Sequence, residues 1–372
     1  MLRPRARRRL PRRRAGRARP GWSARRWVAT AAATLVVAAG STVAVHALPP
    51  DGDRGGQGTG APQAPGPLAG AEFFVDPAGH APAQLREWDA AGDARAVWLR
   101  RLAKVPTAVW FTGGADPAAR AAELTAAAQA AGQVPVLVAY DIPGRDCGLY
   151  SDGGAPDGAT YLDWVRSLAA GVGDRPAVVV LEPDAVAQAL DGCLAVRGEQ
   201  PQDRYALLSQ AVGILGAGAG TLVYLDAGNP GWAQDEAALA EALRASGVGE
   251  AAGFAVNVSN FQSTQDSAAF GQRISDRLDG ARFVVDTSRN GVGPATDDDS
   301  GLNWCNPRGR TLGPAPTGDP GPSRVDAYLW IKVPGDSDGS CRPGEPAAGT
   351  WWPDYALDLV MQTSMGHPWA GH

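Results

Sequence analysis

The stretch AVVVLEPD, at residues 177–184, decides the fold. Its five consecutive apolar residues predict a strand that is buried on both faces, as in a parallel sheet covered by helices. Glu182 and Asp184 follow this strand immediately. Polar residues directly after a buried parallel strand lie at the end of the sheet where α/β enzymes place their active sites. The stretch therefore predicts both an α/β fold and the position of a site.

Six further apolar runs of the same kind occur along the chain. Stretches of helical composition separate most of these runs, and this alternation predicts parallel strands joined by crossover helices. The further strand runs are Pro106–Phe111, Val134–Tyr140, Thr221–Leu225, Gly253–Val258, Arg282–Val285 and Ala327–Ile331. The helical stretches are Pro117–Ala131, Thr160–Gly171, Arg204–Gly216, Gln234–Ser246 and Ser263–Leu278. We predict a seven-stranded parallel β/α barrel, similar to a TIM barrel, formed by a single domain over residues 71–372.

The first 47 residues differ sharply from the rest of the chain. They contain twelve arginines and no acidic residue, and Trp27–Ala47 is apolar and uncharged. This pattern is typical of an export signal, with cleavage after Val45–Ala47, although a retained membrane anchor over residues 27–47 fits it as well. Residues 48–70 are rich in Gly, Pro and Ala, which predicts a flexible linker. We therefore expect the folded domain to be secreted, or held outside the cytoplasm by the anchor.

The distribution of charge, cysteine and histidine excludes several classes of function. The chain carries a net charge of −5, which becomes −17 without the twelve arginines of the leader, so we expect no nucleic-acid partner. The four cysteines are widely spaced and the histidines are few, which argues against a metal site and against a catalytic histidine. An even number of cysteines in an exported protein indicates disulfides. Acidic residues must therefore carry any chemistry.

Acidic or polar side chains follow nearly every predicted strand. Because the carboxyl ends of parallel strands share one rim, these side chains are expected to meet there. They include Asp141 and Asp146 after the second strand, Glu182 and Asp184 after the third, Asp226 after the fourth, Asn260 after the fifth, Asp286 after the sixth, and Lys332, Asp336 and Asp338 after the seventh. Single acids at strand ends are usually helix caps, but so many together predict a carboxylate-lined cleft.

The tryptophans indicate that this cleft binds a sugar. The chain has 12 Trp against 7 Phe, and Trp110, Trp232 and Trp304 fall in loops at the predicted rim. An indole face stacks on the apolar face of a pyranose ring while polar neighbours bind its hydroxyls. The remaining tryptophans of the domain are expected to be partly buried in the core.

Two longer motifs resemble glycoside hydrolase family 6, the inverting β-1,4-glucanases. The motifs are VAYDIPGRDCG at residues 138–148 and VVVLEPD at residues 178–184. The resemblance continues through YLDAG at 224–228, DTSRNG at 286–291, NWC at 303–305 and residues 329–339, and so covers essentially residues 72–372. It implies a distorted seven-stranded barrel, an inverting acid/base reaction, and no metal or cofactor.

The resemblance also implies roles for four residues in catalysis. Asp184 matches the general acid, and Asp146 matches the acid that raises the pKa of the first and helps to handle the proton. Asp338 matches the residue usually assigned as the base, and Tyr140 matches the tyrosine that crowds the sugar at the cleavage site. A protonated and an ionised carboxyl group are what glycoside hydrolysis requires.

Further residues match positions that bind substrate or form disulfides in the family. Trp110, Trp232 and Trp304 match stacking residues, whereas Asn260, Lys332, Asp336 and Asp226 are assigned to substrate binding. The resemblance pairs Cys147 with Cys193 and Cys305 with Cys341. Two positions depart from the family: Asp336 stands where Glu is usual, and Asn229 where His is common. The shorter Asp336 is expected to hold its carboxylate back from a sugar hydroxyl.

These expectations together predict a monomeric, secreted endo-β-1,4-glucanase that acts on cellulose-type β-glucans. The loops at 148–160 and 306–326 are short for a tunnel, which favours an open cleft and cleavage of internal bonds. Three alternatives stay open: a cellobiohydrolase of the same family, a glucanase for another β-glucan such as a mixed-linkage glucan, and a non-catalytic carbohydrate-binding protein. A membrane is a partner only if the leader is retained as an anchor.

Overall fold

A single parallel sheet of seven strands organises the protein in the computed structural model, which describes residues 65–196, 198–233, 235–296 and 301–366. The strands lie side by side in chain order. They are β1 (Val109–Phe111), β2 (Val136–Ala139), β3 (Ala177–Leu181), β4 (Thr221–Asp226), β5 (Gly253–Val256), β6 (Arg282–Asp286) and β7 (Val325–Leu329). Each predicted strand run contains or overlaps one of them, so the predicted α/β architecture is confirmed.

Ten helices accompany the sheet in the described part of the chain. They are α1 (His80–Ala91), α2 (Ala96–Leu102), α3 (Ala118–Ala130), α4 (Gly158–Val172), α5 (Ala185–Leu190), α6 (Cys193–Val196), α7 (Pro201–Gly216), α8 (Glu236–Ala245), α9 (Thr264–Arg277) and α10 (Pro353–Gly366). The predicted helical stretches correspond to α3, α4, α7, α8 and α9. The other five were not predicted, because they precede the first strand, follow the last, or are very short.

The sheet curls into a distorted barrel whose edge strands meet at a single point. The backbone N–H of Ala108, just before β1, donates to the carbonyl oxygen of Trp330, just after β7, over 2.9 Å. Within the described residues, β1 and β7 form no ladder with each other. The barrel predicted from the seven strands is therefore present, but its closure is much weaker than the pairing of neighbouring strands.

Alternate residues of each strand build two separate cores. In β3, Val178 and Val180 point into the barrel and pack near Tyr224, whereas Val179 and Leu181 pack against the surrounding helices. All five residues of β3 are buried. This two-sided burial is what the uninterrupted apolar stretch predicted.

The folded domain begins earlier than the linker prediction allowed. Leu68 is only 2% exposed and packs into the barrel interior, and the N–H of Gly70 donates to the Asp319 carboxylate over 3.1 Å. The predicted linker boundary at residue 70 is therefore wrong, because a single apolar side chain inserts into the barrel. The predicted leader, residues 1–47, and the linker up to residue 64 lie outside the described residues. No helix among the described residues is long and apolar enough to span a bilayer.

Two disulfides link loops at the carboxyl end of the sheet. Cys147 pairs with Cys193 and Cys305 with Cys341, as the resemblance implied, so all four cysteines are paired. The first bridge ties the loop after β2 to α6, and the second ties the loop after β6 to the loop after β7. Closing loops of 46 and 36 residues stabilises the fold by about 4 kcal/mol each in the chain-entropy model.

Candidate active site

A cleft of about 1390 Å³ opens at the carboxyl ends of the strands. Its walls contain nearly all the side chains assigned to catalysis and binding from the sequence. These are Trp110, Tyr140, Asp146, Asp184, Trp232, Asn260, Trp304, Lys332, Asp336 and Asp338. Because neighbouring strands pair in register, with Ala139 opposite Leu181 and Leu181 opposite Leu225, the residues that follow them emerge at one level. Residues that are far apart in the sequence therefore line one rim of the barrel.

Arg145 and a tight turn position Asp146 after β2. The Arg145 guanidinium lies over the Tyr140 ring, 4.8 Å from its centroid, and donates to the Tyr140 carbonyl oxygen over 2.7 Å. The Asp146 carboxylate accepts a hydrogen bond from the Ser151 N–H at 2.5 Å and a longer one from the Gln188 side chain at 3.4 Å. Partial burial raises the pKa of Asp146, although the Ser151 N–H and the Arg145 charge oppose the shift. Asp146 is thus held between α5 and its own loop.

Glu182 clamps the loop after β2 to the loop that carries Asp184. Its fully buried carboxylate accepts hydrogen bonds from the N–H groups of Asp141, at 3.0 Å, and Ile142, at 3.1 Å. Burial raises the pKa of Glu182 to about 7, although these N–H groups favour the ionised form. Asp184, two residues later, has φ = 72° at the start of α5, a left-handed conformation that is uncommon outside glycine. The clamp and this turn together aim the Asp184 side chain into the cleft.

The structure places Asp226 beneath the cleft wall and not among the side chains that line the cleft, whereas the sequence-based assignment put it at the substrate. Its side chain is 1% exposed and does not line the cleft. Instead, its Oδ2 accepts hydrogen bonds from the N–H groups of Asp184, at 2.8 Å, and Gly228, at 3.2 Å. The sequence shows an acid at the end of β4 but does not show that backbone donors surround it. Asp226 therefore positions Asp184 and lies beneath it.

The neighbours of Asp184 favour its protonated form. Burial raises the pKa of Asp184 well above its ordinary range, and the nearby carboxylates of Asp226 and Asp146 raise it further. Only the ammonium group of Lys332 opposes this shift appreciably. A carboxyl group that stays protonated near neutral pH can donate a proton to a leaving group. Asp184 is thus suited to act as an acid.

The surroundings of Asp338 have the opposite effect. Burial by itself would raise the pKa of Asp338, but the charges of Arg289 and Lys332 outweigh burial and hold the pKa below its ordinary range. Arg289 donates to Oδ2 over 2.8 Å, the N–H of Asn306 donates to the same oxygen over 3.0 Å, and the Lys332 ammonium lies 3.2 Å from Oδ1. The surroundings of Asp338 therefore favour its ionised form, whereas those of Asp184 favour its protonated form.

Aromatic side chains are fixed on two sides of these acids. The Trp110 indole N–H donates to the carbonyl oxygen of Ile331 over 2.8 Å, and its ring stands edge-on to Tyr140 with centroids 5.4 Å apart. Trp304 lies 5.8 Å from Tyr150, measured between ring centroids, so the loops after β6 and β2 meet. Since β2 and β6 are not neighbours in the sheet, this contact joins loops that follow two non-adjacent strands. The cleft is partly covered at this point.

Several residues that shape the site were not predicted from the sequence. Arg289 is completely buried and Asn306 nearly so, and both bind Asp338. Glu182 was predicted at a strand end without a role, and His80 lies before the first predicted strand and was given none. Glu182 lies in the motif EPD and Arg289 in DTSRNG, which was a signal for these two, but the partners that these residues bind are distant in sequence. Asn229, where the family commonly has His, uses its side-chain oxygen to accept the N–H of Gly231 over 3.0 Å.

A metal is not needed to explain these positions. Within the described residues, one group of potential ligands lies close enough together to hold an ion, namely Cys305, Cys341 and Glu345. Both cysteines of this group are joined in a disulfide, so they cannot bind a metal as thiolates. Of the cleft acids, Asp146 accepts a backbone N–H and Asp338 is paired with cationic side chains.

Comparison with known proteins identifies relatives of this chain. The family model "Glycosyl hydrolases family 6" matches residues 68–363. Endoglucanase A of Cellulomonas fimi is 43% identical over 299 residues, which are 80% of this chain and 62% of that protein. Endoglucanase 1 of Streptomyces sp. (strain KSM-9) is 44% identical over 276 residues, covering 72% of this chain and 73% of the relative. The chain thus spans less than two thirds of the length of the first of these relatives.

The fold has a counterpart among solved structures. The endoglucanase Cel6 of Mycobacterium tuberculosis, solved with a methyl-cellobiosyl-4-deoxy-4-thio-β-D-cellobioside, superimposes with a TM-score of 0.75. The two chains are 43% identical, and the match covers 80% of this chain and 99% of the other. The similarity therefore includes the whole domain that builds the cleft.

Proposed function

We propose, because the chain belongs to glycosyl hydrolases family 6, that it cleaves internal β-1,4-glucosidic bonds of cellulose-type β-glucans by an inverting mechanism. The observation that carries this proposal is the opposite surroundings of two acids in one cleft: Asp184 lies among other carboxylates, which raise its pKa, whereas Asp338 is bound by Arg289 and Lys332, which lower its pKa. An inverting glycosidase needs such a pair, with about 6.5–9.5 Å between the carboxyl groups so that a water fits beside the sugar. The endoglucanases among its relatives support the substrate class.

Asp184 is the general acid in this proposal. Its proton passes to the glycosidic oxygen as the bond to the anomeric carbon breaks, so that the departing sugar leaves as a neutral alcohol. Asp226 holds the Asp184 backbone by the hydrogen bond of 2.8 Å, and Asp146 and Asp226 keep the proton on Asp184 before the reaction. The acid is thus both positioned and kept protonated by its neighbours.

Asp338 is the proposed base, which accepts a proton from the attacking water. The water oxygen forms the new bond at the anomeric carbon on the face opposite the leaving oxygen, which inverts the configuration. Arg289 and Lys332 keep Asp338 ionised and fix both of its carboxylate oxygens. Tyr140 and Trp110 lie beside the reacting sugar, and Trp232 and Trp304 offer stacking faces along the cleft.

Chain-end action is the second candidate, and the contact between Tyr150 and Trp304 favours it. A glucan must thread beneath a permanent bridge, whereas an open cleft admits an internal segment from the side. The bridge consists of one ring contact between short loops, together with Tyr150 against Gly339. We favour internal cleavage because such a small contact is easily opened.

The proposed function is tested with soluble carboxymethyl-cellulose, crystalline cellulose and barley β-glucan. We expect reducing ends to appear on the soluble cellulose together with a steep fall in viscosity, because internal cuts shorten the polymer quickly. Release of reducing ends with little loss of viscosity would assign chain-end action instead. Binding to all three polymers without any release would make the protein a carbohydrate-binding homologue.

Export is proposed on the N-terminal pattern and on the two disulfides, which form in oxidising compartments. The protein should accumulate in the culture medium with its N-terminus near residue 48. Full-length protein that sediments with membranes would instead show that the leader is retained as an anchor.

Replacing Asp146 with Asn should shift the pH dependence of activity. Burial and the Asp226 carboxylate contribute most to the raised pKa of Asp184, and the Asp146 carboxylate contributes next. Activity needs protonated Asp184 and is lost as the pH rises through that pKa, so the alkaline limb should move to lower pH in Asp146→Asn. A profile of kcat/KM against pH on cellotetraose measures the shift. An alkaline limb that stays in place or moves upward would show that Asp146 does not influence the acid.

A further inference from the structure

His80 is a cleft residue that the proposed mechanism does not use. It is the first residue of α1, its side chain is 49% exposed, and it lines the same cleft as Asp184 and Asp338. Its Nδ1 lies 2.7 Å from Oδ1 of Asp336, on the loop after β7. The contact between His80 and Asp336 thus joins α1, which precedes the barrel, to the loop that follows the last strand.

The neighbours of His80 fix the direction of its ring. The rings of His80 and Trp351 have centroids 5.9 Å apart, and the Trp351 indole N–H donates to the side chain of Gln84, one turn further along α1, over 3.3 Å. Asp336 and Trp351 also form an isolated antiparallel bridge. Two polar contacts therefore hold α1 against the segment after β7, and the backbone bridge ties Asp336 to Trp351 within that segment. The Asp336 carboxylate thus fixes the orientation of the imidazole, as carboxylates commonly do for functional histidines.

The bond to Asp336 leaves Nε2 as the available atom of the ring. The hydrogen bond through Nδ1 is the one polar contact of His80 within the described part of the chain. Asp336 itself is nearly buried, and its Oδ1 is occupied by His80. A side chain one methylene longer, as is usual in the family at this position, would have to displace the imidazole. His80 and Asp336 are therefore one unit, in which the histidine extends the shorter acid into the cleft.

We propose that His80 is a substrate-binding residue whose Nε2 forms a hydrogen bond with a hydroxyl group of a glucosyl unit, while Asp336 orients the ring. This inference rests on the proposed function, since it takes the ligand to be a β-1,4-glucan. The sugar lies on the side of the cleft where β1 and β7 meet, beside Trp110 and Lys332. In this proposal Asp336 acts on the substrate through His80, rather than through the weakened direct contact expected from the sequence.

Two substitutions of His80 separate substrate binding from support of Asp336. His80→Ala removes both functions, whereas His80→Asn keeps an N–H donor near the position of Nδ1 and removes Nε2. We expect KM for cellotetraose to rise about 5- to 10-fold in both variants, the size of one lost hydrogen bond, with kcat within about twofold. Asp89→Asn, on an exposed turn of the same helix, is the control and should leave both constants unchanged.

A binding measurement makes the result independent of turnover. In an Asp184→Asn parent, calorimetry with cellotetraose should show the same 5- to 10-fold weakening for both His80 variants. Recovery of wild-type affinity in His80→Asn would show that His80 only supports Asp336 and would overturn the proposal, as would unchanged affinity in His80→Ala. If the parent does not bind cellotetraose and the wild type does not cleave it, the proposed function has failed rather than the role of His80.

Discussion

Asp184→Asn should lower kcat on an unactivated glucan by about 10²–10⁴-fold, the loss typical of a missing general acid. The amide cannot donate the proton that the departing oxygen needs, so the bond breaks without assistance. Because Asn has nearly the same size and can keep the backbone hydrogen bond to Asp226, the fold should be preserved. The loss should therefore appear in kcat, while KM changes little. Steady-state kinetics on cellotetraose measure both constants.

A leaving group that needs no protonation distinguishes the acid from other roles. An aryl cellobioside with an acidic phenol should be cleaved by Asp184→Asn with a much smaller loss than cellotetraose. Asp163→Asn is the control, since Asp163 is exposed on α4, pairs with Arg166 and does not line the cleft. It should retain nearly full activity. Equal losses on both substrates would place the general acid elsewhere.

Arg289→Met should lower both stability and activity. Arg289 is completely buried, and its guanidinium donates to Asp338 over 2.8 Å and to the carbonyl oxygen of Ser259 over 2.8 Å. Removing Arg289 leaves the buried Asp338 carboxylate with Lys332 as its remaining cationic partner, and breaking a buried ion pair costs up to about 3–5 kcal/mol. The pKa of Asp338 should rise as a result, and kcat should fall by about 10²-fold. Thermal unfolding and kinetics on cellotetraose measure the two effects.

A double variant separates the loss of charge pairing from the loss of packing. In Arg289→Met with Asp338→Asn, the carboxylate that lost Arg289 is neutral, so part of the stability should return while activity stays low. The return should be incomplete, because Lys332 then keeps only its hydrogen bond to the Ser337 carbonyl oxygen. Arg166→Met is the control, because Arg166 forms an exposed pair with Asp163 on α4 and should change stability by less than about 0.5 kcal/mol. If the Arg289→Met variant unfolds at the same temperature as the wild type, the ion pair between Arg289 and Asp338 does not stabilise the fold.

The strands and the position of the cleft followed from the sequence because one physical pattern determines both. If one face of a run such as Ala177–Leu181 were exposed, apolar side chains would face water. The strand must therefore lie between two packed layers, one on each face of the sheet. Parallel pairing then brings the residues after each strand to one rim. Asp146, Asp184 and Asp338 could be placed at this rim from the pattern, whereas their separate roles came from the resemblance to glycoside hydrolase family 6.

The contacts within the cleft could not be predicted in the same way. Arg289 and Asp338 are 49 residues apart, and a charged side chain is expected on the surface unless its partner is known. Asp226 was misassigned because the sequence does not show whether a carboxylate faces the cleft or the backbone N–H groups of the next loop. His80 and Leu68 precede the first strand, where the alternation of strands and helices gives no information.

The configuration of the first product tests the central claim most directly. If Asp184 donates a proton to the leaving oxygen while Asp338 activates water on the opposite face, hydrolysis of a β-1,4 bond must release the α-anomer first. Proton NMR of cellotetraose hydrolysis, recorded before mutarotation equilibrates the products, observes this directly. The account predicts an early excess of the α-anomeric signal. An early excess of the β-anomer would contradict it, since retention requires a covalent intermediate and would make one of the acids a nucleophile.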